Sequence, residues 1–195
     1  MPRQKSVVRL VAEPLVVAIA LAFAVRASVR LYSIPSESMT PALQVGDHIV
    51  VTPYRFSQPA HGDVIIFRAP TNEGELIVKR IIALPGDLVD SRLGRVRIGE
   101  RTLAEPYVAG QATTGAISAQ IVPADSYFVL GDNRNSSYDS RHWGALPRHL
   151  VVGKARMVLW SSSPGIDSRA HASTLLASRT RVAHVRLSRI FKWIE

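Results

Sequence analysis

Hydrophobic residues follow two different patterns along the chain. Near the N-terminus, an apolar run from Leu15 to Val25 contains no charged residue and is flanked by Glu13 and Arg26. From residue 47 onward, apolar residues occur in short segments that are rich in β-branched and aromatic side chains and are separated by Gly, Pro or Asp. The first pattern indicates a helix, and the second is typical of short strands joined by turns.

The segments with strand composition are short, and no amphipathic helix of convincing length lies among them. They cover residues 47–52, 63–68, 76–84, 88–90, 95–98, 119–122, 127–130 and 151–160. Short strands without intervening helices predict an all-β domain with antiparallel strands, arranged as a sandwich or barrel. We place this β-rich domain at residues 32–164.

Three stretches have a weaker pattern. Residues 99–118 predict an insertion that leaves the domain as an exposed hairpin or excursion, and residues 161–181 predict a loop because they are small and polar. Residues 183–194 alternate in part, which suits either a closing strand or a short basic amphipathic segment. Residues 165–195 are therefore interpreted as a basic C-terminal segment that follows the β-rich domain.

The N-terminal apolar run predicts a membrane anchor. Spanning a bilayer takes ~20 residues, so a helix over residues 7–31 would be needed, with charges near its ends reaching the interface. Pro14 is compatible with such a helix. The alternative is a cleavable signal peptide, since Ala22-Phe23-Ala24 suits a small-residue cleavage site. We expect residues 1–31 to form a cytoplasmic tip and one retained transmembrane helix.

The formal net charge of +9 is concentrated at the two ends of the chain. Residues 1–35 contain five Lys/Arg and one acidic residue, and residues 165–195 contain six and two, whereas the residues between them contain thirteen and twelve. Basic ends favour contact with an anionic membrane surface over a nucleic-acid groove. We therefore expect membrane lipid as a partner and no nucleic acid. The basic residues before the apolar run favour a cytoplasmic N-terminus.

The composition also limits the possible chemistry. The chain has no cysteine, which excludes disulfides, thiol catalysis and zinc sites with cysteine ligands. The run Gly131-Asp132-Asn133 invites a calcium interpretation, but the alternating acidic spacing of a calcium loop is absent. We expect no metal and no cofactor.

A polar turn at residues 35–43 follows the apolar run and contains the candidate nucleophile, Ser38. Pro35 and Pro41 restrict the backbone around it, so the serine is presented in a fixed pose. Its hydroxyl needs a base that accepts the proton. The chain has six histidines, His48, His61, His142, His149, His171 and His184. None lies in a recognisable triad context, and no Gly-x-Ser-x-Gly motif is present, so a histidine base is the weaker hypothesis.

Lys79 is the better candidate for the base. It lies beside Arg80 in a β-branched run, residues 75–84, that otherwise predicts a buried strand. Neighbouring side chains of a strand point to opposite faces, so we expect one of the two cations to face the apolar side and the other to face solvent. Burial disfavours the charged amine and lowers its pKa, which makes the neutral amine available as a base.

Simpler interpretations exist for each segment taken alone. Ser36 and Ser38 can be ordinary turn residues, and Lys79 can be a strand lysine that extends its ammonium to solvent. Residues 131–141 can be a polar loop whose shape is fixed by Asx turns. No single segment decides between these interpretations and catalysis.

Four segments in a fixed order resemble the sequence boxes of the type I signal peptidases, or leader peptidases. They are the turn at residues 35–43, the strand at 62–67, the lysine-containing strand at 78–87 and the polar stretch at 131–141. Each box alone is a weak signal, but the ordered set is specific and covers roughly residues 34–160. One departure is Ala83, where the lysine box usually has glycine, a small-for-small change that bears on local packing more than on catalysis.

The resemblance implies a membrane-bound serine endopeptidase that removes signal peptides from exported preproteins with Ala-x-Ala-type cleavage sites. The enzyme would lie in the plasma (inner) membrane as a single-pass protein, with a cytoplasmic N-terminus and the catalytic domain on the extracytoplasmic face. Its Ser/Lys dyad would be Ser38, which attacks the scissile carbonyl, and neutral Lys79, which accepts the serine proton.

The resemblance also implies roles for residues around the dyad. The oxyanion donors would be the Ser38 backbone N–H and the Ser36 hydroxyl. Ser137 would orient the lysine amine, and Asp139 and Arg141 would form a supporting ion pair.

Four further residues are expected to have a structural or substrate-binding role. Asp132 is interpreted as a structural anchor rather than a catalytic residue. The resemblance implies pockets for small residues at the first and third positions before the cut, and the aliphatic side chains of Ile34, Met39 and Val78 would make these pockets shallow.

Two alternatives stay open at this point. One is a related Ser/Lys processing peptidase, either a conjugative-pilus maturation protease or a self-cleaving repressor, although the membrane run and the complete polar box at residues 131–141 disfavour the repressor. The other is a non-catalytic, membrane-tethered β-domain that binds peptides by adding them as a strand to a sheet edge.

Overall fold

The structure, a computed structural model, describes residues 7–55, 57–108, 114–164 and 183–194. The chain divides into two compact units, residues 1–30 and residues 31–195. The first unit contains helix α1, Val7–Ser28, which includes Pro14. Within the described residues, no helix combines the length and the hydropathy that a membrane span requires. The transmembrane helix expected over residues 7–31 therefore stays a prediction.

From residue 30 onward, the described chain consists mainly of short strands. They are β1 (Arg30–Ser33), β2 (Asp47–Thr52), β3 (Val64–Ala69), β4 (Asn72–Ala83), β5 (Leu88–Arg92), β6 (Arg95–Ile98), β7 (Arg101–Thr102), β8 (Gln120–Ile121), β9 (Ser126–Leu130), β10 (Leu146–Pro147), β11 (Val151–Pro164), β12 (Ala183–Val185) and β13 (Lys192–Trp193). Short helical elements lie between the later strands: α2 (Ser140–Trp143) and 3-10 turns at Arg134–Ser136, Arg148–Leu150 and Leu187–Arg189.

The strands form two sheets. The larger sheet has the order β1-β2-β11-β3-β4-β9-β10, and β12 and β13 also pair with β11; the smaller sheet has the order β7-β6-β5-β8. Every strand pair with a defined register is antiparallel. The predicted antiparallel all-β domain is therefore confirmed.

Clusters of buried apolar side chains stabilise these sheets. One cluster joins the two sheets, because Ile82 of β4 packs with Val89 of β5. Another contains Ile34, Met39 and Leu43, from the segment between β1 and β2, together with residues of β2, β3 and β11. The turn that carries the candidate nucleophile is thus attached to the main core by its own apolar side chains.

All eight predicted strands occur, with shifts at some ends. The bounds of β2 and β6 match the prediction, whereas β4 begins earlier, at Asn72, because its hairpin with β3 extends beyond the apolar run to a polar tip. Strand β11 extends to Pro164, into the segment predicted as a loop. Strands β1, β7 and β10 were not predicted because their sequences, Arg-Leu-Tyr-Ser, Arg-Thr and Leu-Pro, contain no run of β-branched residues.

Residues 99–118 differ from the exposed insertion that the sequence predicts. They begin with the β6–β7 hairpin, but Thr114 is 1% exposed and Ile117 is 6% exposed. Tyr107 packs against the cluster that joins the two sheets. These buried side chains are irregularly spaced, so their periodicity gave no sign of burial. Residues 109–113 lie outside the described residues.

The C-terminal residues 183–194 act as closing strands rather than as a free amphipathic segment. Val185 of β12 pairs with Ser162, and Trp193 of β13 pairs with Met157, so both strands extend the larger sheet along β11. Most of the predicted loop, residues 165–181, lies outside the described residues.

Candidate active site

A single loop between β1 and β2 carries Ser38. This loop together with Asp47, the first residue of β2, covers residues 34–47 and is called the nucleophile loop below. Backbone hydrogen bonds close its base, since Ile34 N–H donates to Asp47 O at 2.8 Å and Gly46 N–H donates to Ile34 O at 3.0 Å. The closed base makes the loop one compact unit.

The nucleophile loop is held from two directions. On the core side, the Met39 and Leu43 side chains are buried, and Leu43 N–H donates to Met39 O at 2.8 Å. On the other side, Asn133 N–H donates to Ser38 O at 3.0 Å, and Asn133 Nδ2 donates to Glu37 O at 3.2 Å. The backbone of Ser38 is therefore fixed on both sides, as a nucleophile requires.

Gly131 allows the polar stretch 131–141 to approach the nucleophile loop closely. A Cβ on this residue would lie 2.5 Å from Ser38 O and 2.3 Å from Ser137 Oγ, both shorter than real contacts. Its N–H donates to Asp139 Oδ2 at 3.0 Å. A glycine is therefore required here by packing against the site rather than by an unusual backbone angle.

Strand β4 brings Lys79 to the candidate nucleophile. Lys79 Nζ donates to Ser38 Oγ at 2.7 Å, although the two residues are 41 positions apart in sequence. Both are buried, with Lys79 3% and Ser38 8% exposed. Within the described residues, the other hydrogen-bond partner of Ser38 Oγ is Ser36 Oγ, at 3.3 Å, so no described histidine takes the place of the lysine.

The environment of Lys79 lowers its pKa to about 8. Burial is the largest cause, because it removes water from the ammonium; the carboxylates of Asp139 and Asp132 oppose the shift, and the Arg141 guanidinium adds to it. A solvated lysine has a pKa of ~10.4. With a value of about 8, roughly one tenth of the amine is neutral at neutral pH, enough to serve as a base.

Arg80, the neighbour of Lys79, does not reach solvent, so the expectation that only one of the two cations is buried is wrong. Arg80 is 1% exposed. Its Nε and Nη2 each donate to the Asp132 carboxylate at 2.8 Å, its Nη1 donates to Gly62 O, and its guanidinium lies 4.0 Å from the centre of the Tyr107 ring. The segment that contains Tyr107 covers the face of β4 that the alternation rule assigned to solvent.

Asp132 is fully buried in this pair. Burial raises its pKa, and the hydrogen bonds and charge of Arg80 oppose that rise. Because both of its oxygens are bound to Arg80, its position fits a structural anchor; that role stays a prediction.

Asp139 and Arg141 hold the shape of the polar stretch 131–141. Arg141 Nε and Nη2 donate to the two oxygens of Asp139 at 2.8 Å and 2.9 Å, and Arg141 also donates to the backbone oxygens of Thr114 and Ser137. Burial opposes ionisation of Asp139, but hydrogen bonds from Arg141 and from Gly131 N–H outweigh it and lower the pKa of this carboxyl. The Asp139 carboxyl is therefore ionised at neutral pH.

Ser137 lies beside the Asp139 carboxylate, whose pKa its hydroxyl helps to lower, although no hydrogen bond of ordinary geometry joins the two side chains. It is 8% exposed, and Ser137 Oγ has no hydrogen-bond partner among the described residues. A hydrogen bond from Ser137 to the Lys79 amine is thus not formed, and its orienting role stays a prediction, as does the role of Ser36 as an oxyanion donor.

A cleft of about 310 Å³ opens beside the dyad. Its walls include the three aliphatic residues expected to line substrate pockets, Ile34, Met39 and Val78. Thr71 and Glu75, near the tip of the β3–β4 hairpin, line the same cleft and were not singled out from the sequence, because the hairpin tip has no pattern that distinguishes it from a surface turn.

Arg134 also supports the site and was missed. It is 2% exposed, and its Nε donates to Gly131 O at 3.0 Å while its other nitrogens bind Glu105 and Thr114. Its position inside the polar box at residues 131–141 is the one signal in the sequence that points to it, and no partner can be named from that position alone. Within the described residues, no group of acidic or histidine side chains could hold a metal ion.

Comparison with protein families gives a match over most of the chain. The sequence model of a family described as signal peptidase, peptidase S26, matches residues 7–160. The match covers all four boxes and all of helix α1, and it ends before the C-terminal segment.

Individual proteins are similar as well. A signal peptidase I of Leptolyngbya laminosa is 42% identical over 137 residues, which cover 65% of this chain and 66% of that protein. A probable signal peptidase I-2 of Synechocystis sp. is 39% identical over 157 residues, covering 75% of this chain and 70% of that protein. A crystal structure of a signal peptidase I from Enterococcus faecalis V583 is 32% identical, with a TM-score of 0.44, and the match covers 50% of this chain and 97% of that one. The chain spans about two thirds of the length of the two curated relatives.

Proposed function

The chain belongs to the signal peptidase family, peptidase S26, a family of serine endopeptidases, and we propose that it removes N-terminal signal peptides from exported preproteins by means of a Ser/Lys dyad. The observation that carries this proposal is the buried hydrogen bond of 2.7 Å between Lys79 Nζ and Ser38 Oγ. A buried lysine beside a serine held rigidly at the wall of a cleft is an arrangement suited to nucleophilic catalysis.

In the proposed reaction, neutral Lys79 accepts the proton of Ser38 while Ser38 Oγ bonds to the scissile carbonyl carbon. The carbonyl oxygen becomes an oxyanion, and the Ser38 N–H and the Ser36 hydroxyl donate to it. As the carbon–nitrogen bond breaks, the Lys79 ammonium returns the proton to the leaving amine. Water, deprotonated by the same amine, then bonds to the acyl carbon; as the bond from that carbon to Ser38 Oγ breaks, the Lys79 ammonium returns the proton to Ser38 Oγ.

Charge around the dyad supports this sequence of steps. The pKa of Lys79, about 8, is low enough for the neutral form to be present at neutral pH and high enough for the ammonium to protonate an amine. We propose that the Ser137 hydroxyl, which is buried beside Asp139, accepts a hydrogen bond from the amine once Ser38 is acylated.

We also propose that residues 1–31 anchor the enzyme in the plasma membrane, with a cytoplasmic N-terminus and the catalytic domain on the extracytoplasmic face. The support is the surface of α1, where Leu10, Leu15, Val16 and Ile19 are each more than half exposed. Apolar side chains exposed along one helix are stabilised by contact with lipid.

The topology can be tested in intact cells. Protease added outside cells whose outer layers have been permeabilised should digest the β-rich domain, whereas protease confined to the cytoplasmic side should leave it intact. The reason is that the basic residues before the apolar run remain cytoplasmic. Digestion is detected by immunoblotting of a tag fused to the C-terminus. Cleavage of the β-rich domain by protease on the cytoplasmic side would refute the proposed orientation.

The cleft suggests which substrates are accepted. Ile34, Met39 and Val78 are among the residues that line it, and we infer that their aliphatic side chains leave little depth for a side chain next to the scissile bond. We propose that small residues occupy the first and third positions before the cut and that larger aliphatic residues clash.

Precursors that differ only at these two positions test both the activity and its specificity. A precursor with Ala-x-Ala before the cut should be cleaved at that site, and the matched Leu-x-Leu precursor should be cleaved at least about 100-fold more slowly in kcat/KM. Product masses identify the cleavage site. Equal rates for the two precursors would refute the shallow pockets, and binding without cleavage of either would favour a peptide-binding domain.

A further inference from the structure

The C-terminal segment, residues 183–194, lies against the nucleophile loop, residues 34–47. This segment is outside the region that the family model matches, which ends at residue 160. Two of its arginines, Arg186 and Arg189, reach across to the loop over more than 140 positions of sequence. The contact is therefore a feature of this chain that the family match does not cover.

Arg189 binds both the base of the loop and its interior. Its Nε donates to Asp47 Oδ1 at 3.0 Å, its Nη2 donates to Asp47 Oδ2, and the same Nη2 donates to Ala42 O at 2.8 Å. Arg189 is 7% exposed and Asp47 is fully buried. One planar guanidinium thus joins a buried carboxylate to a backbone oxygen four residues after Ser38.

Arg186 adds a second set of contacts on the same side. Its Nη1 donates to Gln44 Oε1 at 2.7 Å, its Nη2 donates to Val45 O, and its Nε donates to Ser161 Oγ at 2.8 Å. Since Ser161 Oγ itself donates to Asp47 Oδ1, the two arginines and the end of β11 form one network around the loop.

Other contacts restrain the loop as well, among them Ser162 N–H, which donates to Gly46 O at 3.0 Å. Asn133 holds the Ser38 carbonyl from the opposite direction, and the Met39 and Leu43 side chains hold the loop from the core. The turn from Met39 to Leu43 is short and internally hydrogen-bonded, so a shift of Ala42 is transmitted to Ser38. A displacement of ~1 Å at a reacting group costs on the order of 100-fold in rate.

We propose that the C-terminal segment is a positioning clamp for the nucleophile and that Arg189 is a positioning residue which keeps Ser38 Oγ at hydrogen-bond distance from Lys79. This inference rests on the proposed function of Ser38 as the nucleophile. It assigns to residues 183–194 a role in the rate of acylation rather than in substrate binding, since none of them lines the cleft beside the dyad.

The test compares three variants of the full-length protein in single-turnover cleavage of an Ala-x-Ala precursor. Arg189→Gln removes the clamp, Arg189→Lys keeps the charge but loses the planar fork, and Arg97→Gln is the matched control. Arg97 also binds a backbone oxygen, Gly99 O at 3.2 Å, and lies 3.9 Å from a carboxylate, but it belongs to the smaller sheet.

We expect Arg189→Gln to lower the rate of acylation by roughly 10- to 100-fold with a much smaller change in KM. Arg189→Lys should also lower the rate of acylation, by a smaller factor than Arg189→Gln. Arg97→Gln should behave as wild type. Unfolding midpoints are measured in parallel, so that rates are compared only for folded protein.

Wild-type acylation rates in folded Arg189→Gln would overturn the proposal, and if that variant does not fold, a wild-type rate in Arg189→Lys overturns it. A loss confined to KM would also overturn it, because it would assign the segment to substrate binding. Failure of the proposed function would look different, since wild-type protein itself would then neither cleave the precursor nor become acylated at Ser38.

Discussion

Ser38→Ala and Lys79→Ala are each expected to lower cleavage of an Ala-x-Ala precursor by at least about 10⁴-fold. Ser38 supplies the atom that bonds to the substrate, and Lys79 is its hydrogen-bonded base at 2.7 Å. Because the two side chains act as one unit, removing either leaves little for the other to do, and the double variant should be no worse than the single ones. Rates are measured under single-turnover conditions.

A control variant shows whether activity is lost because the base is missing or because the protein is unfolded. Lys79→Met keeps a long unbranched side chain in the buried position but has no basic nitrogen, so it should be as inactive as Lys79→Ala while avoiding the cavity that alanine leaves. Unfolding midpoints near that of the wild type would show that activity is lost without loss of the fold. Substantial turnover by Lys79→Met, together with inactivity of His142→Ala, would mean that the base is assigned to the wrong residue.

The second large effect concerns stability. Arg80→Met is expected to lower the free energy of unfolding by roughly 3–5 kcal/mol, because it leaves the Asp132 carboxylate buried without its cation. Both side chains are almost completely buried, and burial already raises the pKa of Asp132 even with Arg80 present. The measurement is equilibrium unfolding in urea at neutral pH.

Two further variants test the cause of that loss. The double variant Arg80→Met/Asp132→Leu removes both charges and should recover most of the lost stability, since a buried ion pair can often be replaced by apolar side chains at little cost. Arg97→Met breaks a more exposed pair with a separation of 3.9 Å and should cost less than about 1 kcal/mol. If the double variant is no more stable than Arg80→Met, the stability lost in Arg80→Met does not come from leaving the Asp132 carboxylate without its cation.

Much of the fold could be predicted from the sequence because the strands are short, β-branched and separated by turn residues. The hypothesis about Ser38 and Lys79 came from motif resemblance joined to one physical argument, that a lysine in a buried strand loses hydration. The structure places the two side chains in contact, a distance that no local pattern could give.

The expectation about Arg80 failed for a general reason. Alternation along a strand predicts that neighbouring side chains point to opposite faces, but it does not tell whether the second face is covered. Here it is covered by the segment that contains Tyr107, whose irregular spacing predicted an exposed insertion. Arg189 could not be found at all, because its contact with Asp47 joins positions 142 residues apart.

The central claim is that neutral Lys79 is the base that activates Ser38. The most direct measurement is the rate at which a serine-directed acylating probe modifies the wild-type protein as a function of pH, with the modified residue identified by mass spectrometry. Only the neutral amine can accept the serine proton, so the rate should be low in acid and rise as the pH increases through the pKa of Lys79, about 8.

The predicted result is a single label on Ser38, a rate that rises through neutral pH with a midpoint of about 8, and no measurable labelling of Lys79→Met at any pH. A histidine base with a pKa of ~6.5 would instead give a rate that is already maximal at neutral pH. A rate that is independent of pH from mildly acidic to alkaline conditions, or labelling of Lys79→Met at the wild-type rate, would contradict the Ser/Lys dyad.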